Sequence, residues 1–282
     1  MAERGQAIVG RGFGDKLILL AVVVLALTMV TPMLWVVALS FKDNRELMID
    51  TNSVFHTPYT LINYFDIFGN PIVFRWIGNS LIVSLVMTAG VLFLASLAGY
   101  GFARLNFPGR AVLFAIVLFG LAVPEQAVII ARHQIFGILH LHNTYQGLIL
   151  PGLSAPFGVF LMTQYFRAIP RELDEAAMLD NASRCRIFWR VLLPLTIPAQ
   201  ATLGIFTFLG AWNDYWWPLI SATKKDMFTL TVGIASSQMN FAQSEGLGFL
   251  MTQAVFASVP ILIVYLFFQK YIVTAVSGAA VR

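Results

Sequence analysis

Charge is scarce in this 282-residue chain: only 11% of its residues are Asp, Glu, Lys or Arg, against about 25% in an ordinary soluble domain. So few charges cannot cover a globular surface in water, which excludes a soluble enzyme. Cysteine is nearly absent. Cys185 stands alone, so neither an internal disulfide nor a cysteine metal cage can hold the fold. Every Lys follows a residue other than Gly, so there is no G-x-x-x-x-G-K-[ST] phosphate loop, and ATP, if used, is brought by another subunit. No G-x-S-x-G elbow and no H-E-x-x-H pair occurs, which removes the common hydrolase frameworks. His133, His140 and His142 cluster, but no cysteine or carboxylate pair lies nearby to complete a metal shell, so interfacial hydrogen bonding is favoured over a metal site. Neither a metal nor a cofactor is expected.

What the chain has instead is hydrophobicity. Apolar residues make up 58% and mean hydropathy is +0.77, the reverse of a disordered composition. Six apolar stretches reach bilayer length: about Leu17 to Phe41, Ile77 to Phe102, Ala111 to Ala131, Leu148 to Phe166, Ile197 to Ile220 and Leu247 to Phe268. Each matches the ~20 residues that cross ~30 Å of hydrocarbon as a helix. The first is too long for a signal-peptide core and is expected to be retained.

The basic residues set the orientation. Arg4, Arg11, Lys16, Arg104, Arg110, Arg167, Arg171, Arg184, Arg186, Arg190, Lys270 and Arg282 fall on one side, twelve of the 18 Lys and Arg. The positive-inside rule places that side, with both termini, in the cytoplasm. The expected organisation is one all-α membrane domain over residues 17–272, a cytoplasmic tail at 1–16 and another at 273–282. An outer loop at 42–76 carries Tyr59, Tyr64, Phe65, Phe68, Phe74 and Trp76, which suits a membrane surface or a partner. Ala95, Gly99 and Ala103 repeat at four-residue spacing, a small-residue face that lets a second helix approach closely.

The segment 167–195 concentrates five Arg and four acidic residues in a chain that otherwise avoids charge. It reads as two short helices. Pro170 suits a first turn, and Ile169, Leu173, Ala176 and Ala177 form one stripe. Asn181 suits the left-handed closing position, Ser183 caps a second helix, and Pro194 ends it. Docking on a partner and simple solvation fit this spacing equally well.

The segment resembles the EAA loop of ATP-binding-cassette importer permeases, whose pattern is E-A-A, three residues, G, nine residues, then I-x-L-P. Glu175-Ala176-Ala177, Asp180, Ala182, Val191, Leu193 and Pro194 occupy matching positions, with Asn181 where the family has glycine. Tyr165-Phe166-Arg167, Ile169-Pro170, Glu172-Leu173, Pro198-Ala199, Asn79-Ser80, Arg104 with Phe107-Pro108-Gly109, Leu148-Ile149-Leu150-Pro151 and Ala211-Trp212-Asn213-Asp214 are similar to the carbohydrate importers of the maltose-permease type, in their smaller six-span subunit. The resemblance implies a type I importer permease in a bacterial or archaeal cytoplasmic (inner) membrane. It also implies a homologous second permease, two ATPase copies, an extracytoplasmic solute-binding protein and transport of a sugar or related polar solute. Glu172, Glu175, Ala176, Ala177, Asp180, Asn181 and Ala182 would then contact the ATPase.

Asp214 and Glu125 are ionisable groups at membrane depth, where charge is expensive. Polar groups beside aromatic faces suit a sugar, so Asn213, Asp214, Trp212, Trp216 and Asn79 are candidates for the translocation pathway. An aromatic belt at the outer interface is the other reading of the same tryptophans. The competing function is a self-sufficient ion-coupled transporter, with Asp214 or Glu125 carrying the ion.

Overall fold

The computed structural model describes residues 13–49, 54–239 and 246–280. All regular structure among them is helical. In chain order the helices are α1 (Phe13–Ser40), α2 (Asn44–Ile49), α3 (Ile62–Gly69), α4 (Pro71–Arg104), α5 (Arg110–Phe119), α6 (Glu125–Ile138), α7 (Tyr145–Ile149), α8 (Pro156–Ala168) and α9 (Glu172–Leu179). They continue with α10 (Arg184–Arg186), α11 (Leu193–Leu195), α12 (Ile197–Asn213), α13 (Trp216–Ser221), α14 (Leu230–Met239) and α15 (Gly246–Ala280). The chain forms two compact units, one holding residues up to Gly69 with Ser237–Phe256, the other Asn70–Ser236 with everything from Ala257 onward.

Three helices are long and apolar enough to cross a bilayer unbroken: Gly14–Ser40, Pro71–Arg104 and Gly246–Phe267. They overlap the first, second and sixth expected spans to within a residue at the C-terminal end of the first and sixth. α1 is apolar all round and its most hydrophobic window is wholly unburied, so it faces lipid or other protein. α4 opens on Asn70, whose side chain accepts from the Ile72 amide, followed by Pro71 in the first turn, where a missing N–H costs nothing.

The other three expected spans are broken, each with a proline at or shortly after the break, although Pro32 and Pro260 sit inside α1 and α15 without breaking them. In the third, helix stops at Phe119 and restarts at Glu125 after Pro124, and proline drives the residue before it out of the helical region. In the fourth, α7 passes into a 3₁₀ turn over Leu150–Leu153 before α8 starts at Pro156, a bend of 45°. In the fifth, α12 ends at Asn213 and Asp214 is extended. Pro218 lacks the N–H that would bond the Asp214 carbonyl in a continuous helix, and Thr231 Oγ1 donates to that carbonyl instead at 2.8 Å.

In the first unit, the described residues of the expected outer loop are folded. Lys42 is completely buried, its Nζ donating to the carbonyls of His56 and Pro58 and lying 3.5 Å from Glu46. Asn63 donates from Nδ2 to the carbonyls of Ser40 and Lys42 at 3.0 and 2.8 Å, and Thr252 donates to Ser40 O at 3.1 Å. Tyr59, Phe65 and Phe68 stay exposed. Trp76, counted with them by sequence, belongs to α4 in the second unit and is buried, its Nε1 donating to Lys225 O at 2.7 Å.

The second unit is built on α4, which packs against α8 and α12. The small-residue face is the contact with α8. A Cβ placed on Gly99 would sit 2.6 Å from Met162 Cβ and 2.9 Å from the Met162 carbonyl carbon and the Thr163 amide nitrogen, so only glycine permits this approach. Ala95 and Ala103 are buried on the same face.

Candidate functional sites: the charged segment and a cavity beside Asp214

α9 is held by its buried side. The sequence stripe placed Leu173 inward, yet Leu173, Met178 and Leu179 are exposed, at 40, 47 and 85%, and the residue turned inward is Asp174. Asp174 Oδ2 lies 3.2 Å from Arg104 Nε at the end of α4, with both side chains almost fully covered. Arg104 Nη2 also donates to Ile169 O at 2.7 Å, and Tyr100 OH donates to Arg184 O at 3.3 Å. The end of α4 thus grips the chain before, within and after α9. Pairing overrides hydrophobic patterning here, because a buried guanidinium without a counter-charge is far costlier than an exposed leucine.

α9 closes as expected on Asn181, which has a φ of 55°. Asn181 N donates to Met178 O and Ala182 N to Ala177 O, both at 3.0 Å, the paired bonds of a Schellman motif. Pro170 precedes the helix, whose cap is Arg171. Ser183 Oγ accepts from Arg186 N at 3.3 Å, the expected cap. Pro194 does not end the second helix. The turns ahead of it widen to a π-helix over Ile187–Leu192, with Leu193 N donating to Phe188 O, which lets the proline ring clear the preceding carbonyl. The chain then bends by 76° into α12.

Of the residues expected to meet an ATPase, Glu172, Glu175, Ala176, Asp180 and Asn181 are exposed. Ala177 and Ala182 are half-buried and pack against the core under α9, so their role is to seat the helix.

A cavity of about 350 Å³ opens in the second unit among α4, α6, α8 and α12. Its wall is mostly apolar, with Leu203 and Phe206 among the lining, and its charged groups are Glu125, Arg132 and Asp214. Arg132 Nη1 donates to Glu125 Oε1 at 2.8 Å, and its guanidinium lies 5.2 Å over the Trp217 ring. Trp217 is fixed by its Nε1 bond to Gly147 O at 2.9 Å. Glu125 and Arg132 share α6 two turns apart, but the break at Pro124 and the fold of α12 are what carry them to Asp214, so Arg132 had no signal in the sequence, whereas Trp217 belongs to the aromatic cluster that follows Asp214 in the chain.

Only Asp214 of the five pathway candidates lines this cavity. Trp212 is buried, stacked on Phe208 and bonded through Nε1 to Ala257 O at 3.0 Å. Asn79 is buried as a strut: Nδ2 donates to Asp226 O and Phe228 O, both at 2.9 Å, and Oδ1 accepts from Tyr145 OH at 2.7 Å. Asn213 is exposed and bonded to Leu209 O in its own helix. Trp216 is 57% exposed on the outside. His142 bonds the His133 carbonyl through Nε2 at 3.1 Å, and no group of three potential metal ligands occurs among the described residues.

Residues 92–278 match the model of a family described as the binding-protein-dependent transport system inner membrane component. The chain belongs to this family. This inner membrane component is 36% identical over 221 residues to the arabinooligosaccharides transport system permease protein of Bacillus subtilis, covering 78% of each chain. It is 34% identical to the diacetylchitobiose uptake system permease protein of Streptomyces coelicolor, over 90% of this chain and 84% of that one. The trehalose/maltose transport system permease protein of Thermococcus litoralis is 29% identical over 94% of this chain and 96% of its own. Its fold matches, at a TM-score of 0.78 and 21% identity, a chain of a bacterial ABC transporter involved in the import of the acidic polysaccharide alginate, covering 93% of this chain and 99% of that one. The inner membrane component is therefore an ABC-type permease that crosses the membrane more than once, and the self-sufficient ion-coupled transporter is set aside.

Proposed function

We propose that the chain is the translocating subunit of an ATP-driven importer for a sugar or related polar solute. It would have six spans, the broken ones counted singly, with both termini in the cytoplasm. A homologous permease would complete the pathway, two ATPase copies would bind below, and a solute-binding protein would deliver the solute outside. The sugar class is carried over from the named transport systems of the relatives. The permease performs no chemistry of its own.

The observation that carries this reading is the outward face of α9. Glu172, Glu175 and Ala176 stand free beside exposed Leu173 and Leu179, while Asp174 ties the helix to α4. Small and apolar groups around one or two charges suit a groove in a partner, and the Arg104 clamp would pass its movement into α4 as a rigid body. Domain closure of the ATPases would then alternate access to a cavity at membrane depth, for which Asp214 and the cavity around it are the candidate lining.

The test is a mild-detergent pull-down of the tagged chain with mass spectrometry of its companions. Recovery of a P-loop ATPase and a second permease is expected. Recovery of the chain alone, still transporting in proteoliposomes without ATP, would overturn the reading.

A further inference from the structure

The cavity beside Asp214 has an uneven charge inventory. Two carboxylates, Glu125 and Asp214, face it with one guanidinium, Arg132, and the rest of its lining is uncharged. Arg132 is already engaged, bonded to Glu125 Oε1 at 2.8 Å and stacked over Trp217 at 5.2 Å. Its charge is therefore matched, and the Asp214 carboxylate is left as the excess. Around these groups the wall is apolar, with a hydroxyl at Thr207. An apolar wall strengthens a charge and lengthens its reach, because it screens the field less than bulk water does.

We propose that this cavity screens solutes by charge: it accepts uncharged, hydroxyl-rich solutes and cations, and it repels anions such as uronate-containing or phosphorylated sugars. Carboxylate oxygens are pure acceptors, so they bind the hydroxyl donors of a neutral sugar and offer nothing to a second carboxylate or a phosphate. The apolar remainder of the wall suits the C–H faces of the same sugar. Arg132, the one group that would attract an anion, is held by Glu125. The inference rests on the reading that the cavity lies on the translocation route, and the experiment separates the two.

The probe is a pair of thiol reagents of similar size and opposite charge, the cationic ethyltrimethylammonium and the anionic ethylsulfonate methanethiosulfonates. The chain has one cysteine, exposed Cys185, so Cys185→Ser gives a silent background, and Thr207→Cys then reports from the cavity wall. The full chain is expressed with its partner subunits in membrane vesicles, and modification rates are divided by those of a small free thiol. The expected result is a cation-to-anion rate ratio on the order of tenfold above the free thiol, falling towards unity in Asp214→Asn and rising in Arg132→Gln. A ratio at or below that of the free thiol, or one that neither Asp214→Asn nor Arg132→Gln moves, overturns the charge screen. Failure of both reagents to react in every nucleotide state overturns the underlying claim that the cavity is on a solvent-accessible route.

Discussion

Arg104 and Asp174 are 70 positions apart in the chain and 3.2 Å apart in space, an ion pair with 6 and 12% of its side chains exposed. Removing one partner of such a pair leaves a buried charge uncompensated, a loss of ~3–5 kcal/mol. Asp174→Ala is expected to lower the thermal stability of the purified assembly by roughly this equivalent and to weaken solute-stimulated ATP hydrolysis. The double change Arg104→Met with Asp174→Leu should recover stability without recovering coupling. Recovery of both would assign the pair to packing alone.

Glu175 and Asn181 separate docking from folding. Glu175 is exposed, and its amide donates to Arg171 O at 3.1 Å, so Glu175→Lys is expected to keep the melting temperature and abolish coupled ATPase activity. Equal transport by wild type and Glu175→Lys would remove the docking role. At Asn181 the φ of 55° costs ~1–2 kcal/mol for an ordinary side chain. Asn181→Gly should therefore keep or improve both stability and coupling, whereas Asn181→Val should lose stability in a chemical melt.

Two glycines two residues apart in α4 predict opposite outcomes. A Cβ on Gly99 meets the backbone of α8, but one on Gly101 meets nothing within 4 Å. Gly99→Ala is expected to cost ~1–3 kcal/mol by forcing α4 and α8 apart. Gly101→Ala should stabilise by ~0.5–1 kcal/mol through helix propensity. Thermal unfolding of the two variants side by side decides it, and an equal effect would mean that the α4–α8 contact is not as close as described.

Asn79 holds two carbonyls and a tyrosine hydroxyl. Asn79→Ala leaves those buried groups partly unpaired, a loss of about 1–3 kcal/mol. Its expected signature is a lower melting temperature with an unchanged KM for transport. A raised KM at unchanged stability would return Asn79 to the pathway.

The sequence alone determined the membrane class, because scarcity of charge and runs of apolar residues are properties of composition and need no neighbour. It also determined the close of α9, because Asn181 and Ser183 act on backbone groups within one turn. The small-residue face of α4 was legible for a similar reason: its spacing is set by the helix to which it belongs. The breaks in three spans were not legible, since apolarity reads the same through a turn as through a helix, and proline alone does not mark them: Pro32 and Pro260 sit inside helices that stay whole.

What only the tertiary structure decided is which polar groups meet. Asp174 lies on a helix where its local role was a favourable charge near the N-terminus, and its distant partner at the end of α4 turned it inward. Asn79 and Trp212 carry the residue types of a sugar site, yet carbonyls from other segments consumed their donors. Glu125 reached Asp214 only after the chain broke at Pro124, and Arg132 joined them from a position that gave no pattern. Local rules act over one turn of backbone. An ion pair or a cavity wall is chosen by which segments the packed helices bring within a few ångströms.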